Sequence, residues 1–190
     1  QVRRIDALGF HGLWLTDLGL EALDVFAFMT IAVTCSQRLQ IGSAVHPPQL
    51  RHPAVTLNGV VTLSELSNGR MVYGIGTGDP RLLRPIGRRP LKLGSLSELV
   101  GLSRQLLAGE RVTTDTAELT MCDAKLTRTT NHTVPIYLVA TGPKTLALSG
   151  AVADGVIAHV GATKETLALA LEREDMGAEV RAMAQRLLAE

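Results

Sequence analysis

Residues 39–79 read LQIGSAVHPPQLRHPAVTLNGVVTLSELSNGRMVYGIGTGD. A short apolar run ends in Gly42-Ser43-Ala44-Val45 and turns at Pro47-Pro48. A helical stretch from Pro53 to Leu66, with Pro in its first turn, leads through Ser67-Asn68-Gly69-Arg70 into a second apolar run, Met71 to Thr77. That order is strand, loop, helix, turn, strand, with small residues just past both strand ends. In α/β proteins ligands sit beyond the carboxyl ends of the strands, and small residues there let a flat ligand approach the backbone.

Outward from this unit the same alternation continues. Val2 to Leu8 reads as the end of a helix, stopped at Gly9 or Gly12. Strands are expected at Leu13–Thr16, Leu39–Val45, Met71–Thr77, Val134–Ala140 and Val156–Val160. Helices are expected over Leu20–Ser36, from a capping box at Ser95-Leu-Ser-Glu98 to Ala108, over Lys144–Ala153 and along the charged tail Thr163–Glu190. Residues 110–133 are polar, Thr-rich and irregular, with room for a hairpin. The strands are apolar without clear alternation, as when helices cover the outside of a parallel sheet. An eight-stranded barrel takes about 250 residues, and this chain has 190. The expected fold is therefore α/β, a TIM-type barrel of about five or six strands that lacks its first strand and its last two. Residues 1–190 are expected to form a single partial barrel domain, with 110–133 as an irregular insertion.

Bulk properties narrow the function. The chain is 46% hydrophobic with a formal net charge of +1 and 3% aromatic residues. A near-balanced charge and few stacking rings argue against nucleic acid as a partner. Cys35 and Cys122 stand far apart, and the five histidines include no short-spaced pair, so a metal site is not expected. No apolar run reaches the roughly 18 residues of a membrane span. No signal peptide is visible, and a cytoplasmic location is expected; because the chain opens on Gln1 rather than Met, a targeting segment upstream stays open.

Several rim residues have two readings. Asp17 ends the first strand and suits either a polar contact to a ligand or a cap on the following segment. His46 suits proton transfer by its ordinary pKa near 6.5, or a plain loop position beside two prolines. Gly74-Ile75-Gly76-Thr77-Gly78-Asp79 is not a Rossmann fingerprint, since Asp79 stands where the third glycine belongs. Thr141-Gly142-Pro143-Lys144 ends a strand and opens a helix, which suits a phosphate or an ordinary turn. Arg81, Arg84, Arg88 and Arg89 form a basic cluster, either a solvated loop or an attraction for an anionic tail.

These pieces also carry a resemblance. They are Gly9-Phe10 with Leu13-Trp14-Leu15-Thr16-Asp17, Ile41 to Val45 with Arg51-His52-Pro53, Thr62 to Arg70, Gly74 to Asp79, Leu107 to Glu110, Val134 to Tyr137, Thr141 to Lys144 and Ala153-Asp154-Gly155-Val156. In their order and spacing the chain resembles the luciferase-like flavin-dependent oxidoreductases. It is most similar to the branch that uses the deazaflavin coenzyme F-420, which includes methylene-tetrahydromethanopterin reductase. The resemblance implies a TIM-type barrel, coenzyme F-420 or FMN as cofactor, a small-molecule substrate, hydride or oxygen transfer at a flat tricyclic ring, and a homodimer. It implies a ring contact from Asp17 and a non-proline cis peptide at Ala44–Val45, with Ser43, bulging against the ring; His46 is a candidate proton donor near that ring. Gly76, Thr77, Gly78 and Asp79 would border the ring and its ribityl chain, and Thr141, Gly142, Pro143 and Lys144 its phosphate. Family members place an aromatic residue or His directly after the Asp, where this chain has Leu18. The competing expectation is a catalytically inactive remnant that binds flavin weakly or not at all.

Overall fold

The computed structural model describes residues 1–159. The helix expected over Thr163–Glu190 lies outside the described residues.

The elements run α1 (Val2–Ala7), β1 (Gly12–Leu15), α2 (Val25–Cys35), β2 (Gln40–Ser43), α3 (Pro53–Ser67), β3 (Met71–Ile75), α4 (Pro80–Leu83), α5 (Leu93–Leu107), β4 (Val112–Asp115), β5 (Thr120–Ala124), β6 (Ile136–Ala140), α6 (Pro143–Val152) and β7 (Gly155–Ala158). Five strands form one sheet in the order β1-β2-β3-β6-β7, and every pairing in it is parallel. The sheet curls into part of a barrel, with helices packed on its convex face. Residues 110–133 carry the antiparallel hairpin β4–β5.

Two faces of the sheet do different work. Ile41, Met71, Tyr73, Ile75, Ile136 and Leu138 belong to the main core, and Leu13 and Leu15 pack against it. They meet Met29 and Val33 of α2, Leu57, Val60 and Val61 of α3, and Leu96, Leu99 and Leu106 of α5 there. At about 25 cal/mol per Å² this layer supplies most of the driving force for folding. The concave face is built instead from aromatic rings lying over glycines. Trp14 of β1 stacks on Tyr137 of β6 with ring centroids 5.7 Å apart. A Cβ on Gly42 would come within 2.3 Å of the Trp14 ring, and one on Gly155 within 2.6 Å of the Tyr137 ring. Flat rings thus fill the barrel interior only because glycine lies under each.

Local chemistry sets the element ends. Asp24 caps α2, accepting from the Ala27 N–H at 2.9 Å. α3 starts at Pro53 and is capped by His52, whose Nδ1 accepts from the Ala54 N–H at 3.3 Å. It stops at Asn68, which is left-handed (φ 54°), and the Gly69 N–H then donates to the Ser64 carbonyl at 2.8 Å. Arg70 follows, and its guanidinium donates to the carbonyls of Val33, Ser36, Leu39 and Ser67 and to the Ser36 hydroxyl. One side chain therefore joins the ends of α2 and α3 to the start of β2. On the same end of the sheet, Asp154 accepts from the Ile136 N–H at 2.8 Å and takes a two-pronged bond from Arg104 of α5.

The capping box expected at Ser95–Glu98 is not formed. α5 begins two residues earlier, at Leu93, and Glu98 instead accepts from the Thr114 hydroxyl of β4 at 2.7 Å. The helix expected over Leu20–Ser36 is shorter for a similar reason: Asp24 caps it, so only Val25–Cys35 is α-helical.

Candidate functional site

The carboxyl ends of β1, β2, β3, β6 and β7 surround a cleft of about 780 Å³. The register of the sheet places them there together, because parallel strands all finish on one side. The walls include Thr16, Asp17, Ala44, Val45, Thr77, Gly78, Val139, Thr141, Thr145, Ile157 and His159. Val45, Val139 and Ile157 contribute apolar side chains to the walls, and Asp17, Thr141, Thr145 and His159 contribute polar groups.

One local irregularity shapes the floor. The β2–β3 ladder pairs Ile41 with Met71 and Gly42 with Val72, then resumes only as a bridge between His46 and Ile75. Ser43-Ala44-Val45 bulges out between these points. The Ser43 hydroxyl fills the gap, donating to the Gly74 carbonyl (2.8 Å) and accepting from the Gly74 N–H (3.0 Å). Across the bulge the Ala44 N–H donates to the Leu15 carbonyl at 2.8 Å, and the Asp17 N–H to the Val45 carbonyl at 3.2 Å. The Thr16 hydroxyl donates to the Ala44 carbonyl at 2.8 Å. The Ala44–Val45 peptide is cis.

Asp17 is partly buried at the edge of the cleft. One carboxylate oxygen accepts from the Gly19 N–H at 3.0 Å, and the other lies 2.7 Å from His46 Nδ1. Burial pushes the Asp17 carboxyl up, but the hydrogen bonds from His46 and Gly19 and the nearby Arg51 charge outweigh it and hold the group below its ordinary value. His46 is buried, with its side chain 1% exposed. Its Nε2 lies 3.2 Å from the Thr56 hydroxyl, and Phe26 packs edge-on against its ring at 5.5 Å.

Of the residues expected at the site, Asp17, Ala44, Val45, Thr77, Gly78, Asp79 and Thr141 line the cleft. Others stand outside the cleft lining. Ser43 is buried and engaged with Gly74. Gly76 faces protein, since a Cβ there would lie 2.4 Å from Val139 Cγ1. His46 stands behind Asp17, among residues of a second cavity rather than on the cleft wall. Gly142, Pro143 and Lys144 form the start of α6 between Thr141 and Thr145 and are not themselves among the cleft-lining residues. Asp79 caps α4 through the Arg81 N–H (2.8 Å) and pairs with the Arg81 guanidinium (2.9 Å). That side-chain bond, then the backbone one, hold the Asp79 carboxyl below its usual range.

Thr145 was missed in the sequence. Its hydroxyl donates to the Gly142 carbonyl at 2.9 Å and accepts from the Gly142 N–H at 3.3 Å, so it orders the α6 entry and lines the cleft. The signal was available: a hydroxyl three residues past Gly142 suits a helix start. Gln49 was also missed. Its amide donates to the carbonyls of Thr77 (2.8 Å) and Arg89 (3.0 Å), pinning the rim loop after β3. Among the described residues, no group of three or more His, Cys, Asp or Glu is placed to hold a metal ion. None of the described helices is long and apolar enough to cross a membrane.

The model of the luciferase-like monooxygenase family matches residues 1–187. The chain belongs to this family. Among curated relatives, this family member is 33% identical over 179 residues to 5,10-methylenetetrahydromethanopterin reductase of Archaeoglobus fulgidus, covering 93% of the chain and 52% of the relative. It is 32% identical over 160 residues to the enzyme of that name from Methanolobus tindarius (83% and 48% covered). It is 31% identical over 169 residues to F-420-dependent glucose-6-phosphate dehydrogenase of Beutenbergia cavernae (83% and 50% covered). The chain thus spans about half the length of these relatives. Among solved structures, the coenzyme F-420-dependent tetrahydromethanopterin reductase of Methanopyrus kandleri superposes with a TM-score of 0.78 at 21% identity, covering 90% of this chain and 53% of that one. The oxygenating constituent of the 3,6-diketocamphane monooxygenase of Pseudomonas putida, in complex with FMN, gives 0.75 at 14% identity (100% and 56% covered). These likenesses establish the fold as an incomplete TIM-type barrel.

Proposed function

We propose that this chain carries the ring-binding half of an oxidoreductase that moves a hydride between a deazaflavin or flavin and a small molecule. The observation that carries the reading is the cleft itself. It has about 780 Å³, within the roughly 300–1,000 Å³ of ligand pockets, and it sits at the carboxyl ends of five parallel strands. Its apolar walls at Val45, Val139 and Ile157 suit the faces of a planar ring. Thr141 and Thr145, at the start of α6, suit the polar tail. Coenzyme F-420 is the first choice, because a relative above 30% identity is named for it; FMN is second. When bound, such a ring accepts or gives up a hydride at its central position. The protein's part is to seat the ring on the Ala44–Val45 bulge, hold Asp17 as a hydrogen-bond acceptor at its edge, and keep water off its apolar side.

The alternative reading is a remnant without useful cofactor affinity. It is favoured by β1 and β7, each paired on one side only among the described residues. Trp14, the chain's single tryptophan, lies in the barrel interior below the cleft and separates the two. Titration with F-420, and separately with FMN, is expected to quench Trp14 emission saturably. A folded chain whose emission neither ring alters would leave the remnant reading standing.

A further inference from the structure

We propose that His46 is a positioning residue that acts through Asp17, holding its carboxylate ionised and aimed at the cleft as a fixed acceptor, so that His46 is not itself a proton donor to the ring. The proposal rests on the ring-binding reading above for its functional consequence, but not for the pair itself.

Three observations carry it. First, the geometry is closed. A carboxylate only accepts, so His46 Nδ1–H donates to Asp17 across 2.7 Å. Nε2 meets the Thr56 hydroxyl at 3.2 Å, and that hydroxyl also reaches the Arg51 carbonyl at 3.4 Å. Both ring nitrogens are thereby engaged within the protein. Second, the imidazole is buried while its partner is only partly so: the side chains are 1% and 14% exposed. Asp17 lines the cleft and His46 does not. Third, Asp17 is the wall between two cavities. On its far side, a space of about 460 Å³ is bordered by His46, Phe26, Leu50, Arg51 and Asp24. An imidazole placed there steadies the carboxylate from behind, as outer hydrogen-bond partners steady working groups elsewhere.

The position suits the local sequence. The residue after Asp17 is Leu18, so β1 offers no imidazole of its own. The segment after β2 supplies one 29 residues later, beyond the bulge at Ser43-Ala44-Val45. The charged and titratable groups around the pair are Arg51 and Asp24 in the side cavity, and Arg81, Asp79 and His159 across the cleft.

The test follows Asp17 directly, by the carbon-13 shift of its carboxyl against pH, in the whole chain. In His46→Gln the amide reaches toward Thr56 and leaves Asp17 without its N–H, as does His46→Leu. His46→Asn keeps an N–H near the Nδ1 position. The Asp17 midpoint is expected to rise by about one to three pH units in His46→Gln and His46→Leu, and to stay near wild type in His46→Asn. An unmoved midpoint in a folded His46→Gln chain overturns the proposal. Affinity for F-420 and FMN between pH 5 and 8 reads the function. The wild type is expected to bind with a flat profile, and His46→Gln to lose affinity toward pH 5. Parallel profiles overturn the positioning role. If the wild type binds neither ring, the ring-binding reading fails and with it the role toward the ring, while the Asp17 midpoint still decides the pair.

Discussion

Arg70 and Asp17 show how much rests on single side chains. Arg70 satisfies the carbonyls of Val33, Ser36, Leu39 and Ser67 at once, and buried carbonyls left without donors are costly. Arg70→Ala is expected to lower stability by about 3 kcal/mol, and Arg70→Lys to recover only part of it, since an ammonium cannot reach all of them; urea unfolding measures both. Asp17 is held below its ordinary pKa in the folded chain. Its stabilising share is therefore fully present above its unfolded value of about 3.9. It is lost as pH falls through the folded value, where the carboxyl takes a proton and the bond from His46 weakens. Asp17→Asn is expected to flatten the acid limb of the stability curve below about pH 4. Thermal melts of both chains from pH 3 to 7 would expose an error, because parallel curves contradict this assignment.

The strands and helices carry their own tests. Asp24 supplies the cap of α2, and Asp24→Ala is expected to cost about 1 kcal/mol, visible as a lower urea midpoint with an unchanged slope. Gly74 lets β3 pass under the bulge. A Cβ there would sit 1.9 Å from the Ser43 carbonyl oxygen, a backbone atom that has little room to yield. Gly74→Ala is expected to destabilise by about 3 kcal/mol or to prevent folding. Gly42→Ala meets the Trp14 ring instead, so its expected signature is an altered Trp14 emission spectrum as well as a lower melting temperature. The glycines of this sheet thus serve the packing of strand on strand and ring on strand. Of the strand-end glycines expected to clear space for a ligand, Gly78 borders the cleft and Gly76 does not.

In the molecule as a whole, two layers divide the labour. The helix-facing layer is a continuous apolar core and supplies stability, whereas the concave face and its upper rim border the candidate site. The family match and the superpositions belong to this level too: they concern the order of βα units more than any one residue.

The alternation of apolar runs with capped helices was legible from the chain because hydrophobic period, Pro at helix starts and Gly or Asn at helix ends act within a few residues. All five sheet strands fall where that reading puts them, and the incomplete barrel follows from their number. The Ala44–Val45 cis peptide came from the resemblance and not from local physics. What local pattern did not reveal is which rim residue faces the cleft. Strand alternation stops at the bulge after Ser43, so period two no longer says where Ser43, Val45 and His46 point. The Asp17–His46–Thr56 chain joins the segments after β1 and β2 to α3, and only the tertiary fold brings the three together. Contacts between distant residues depend on distances and directions that no window of sequence contains.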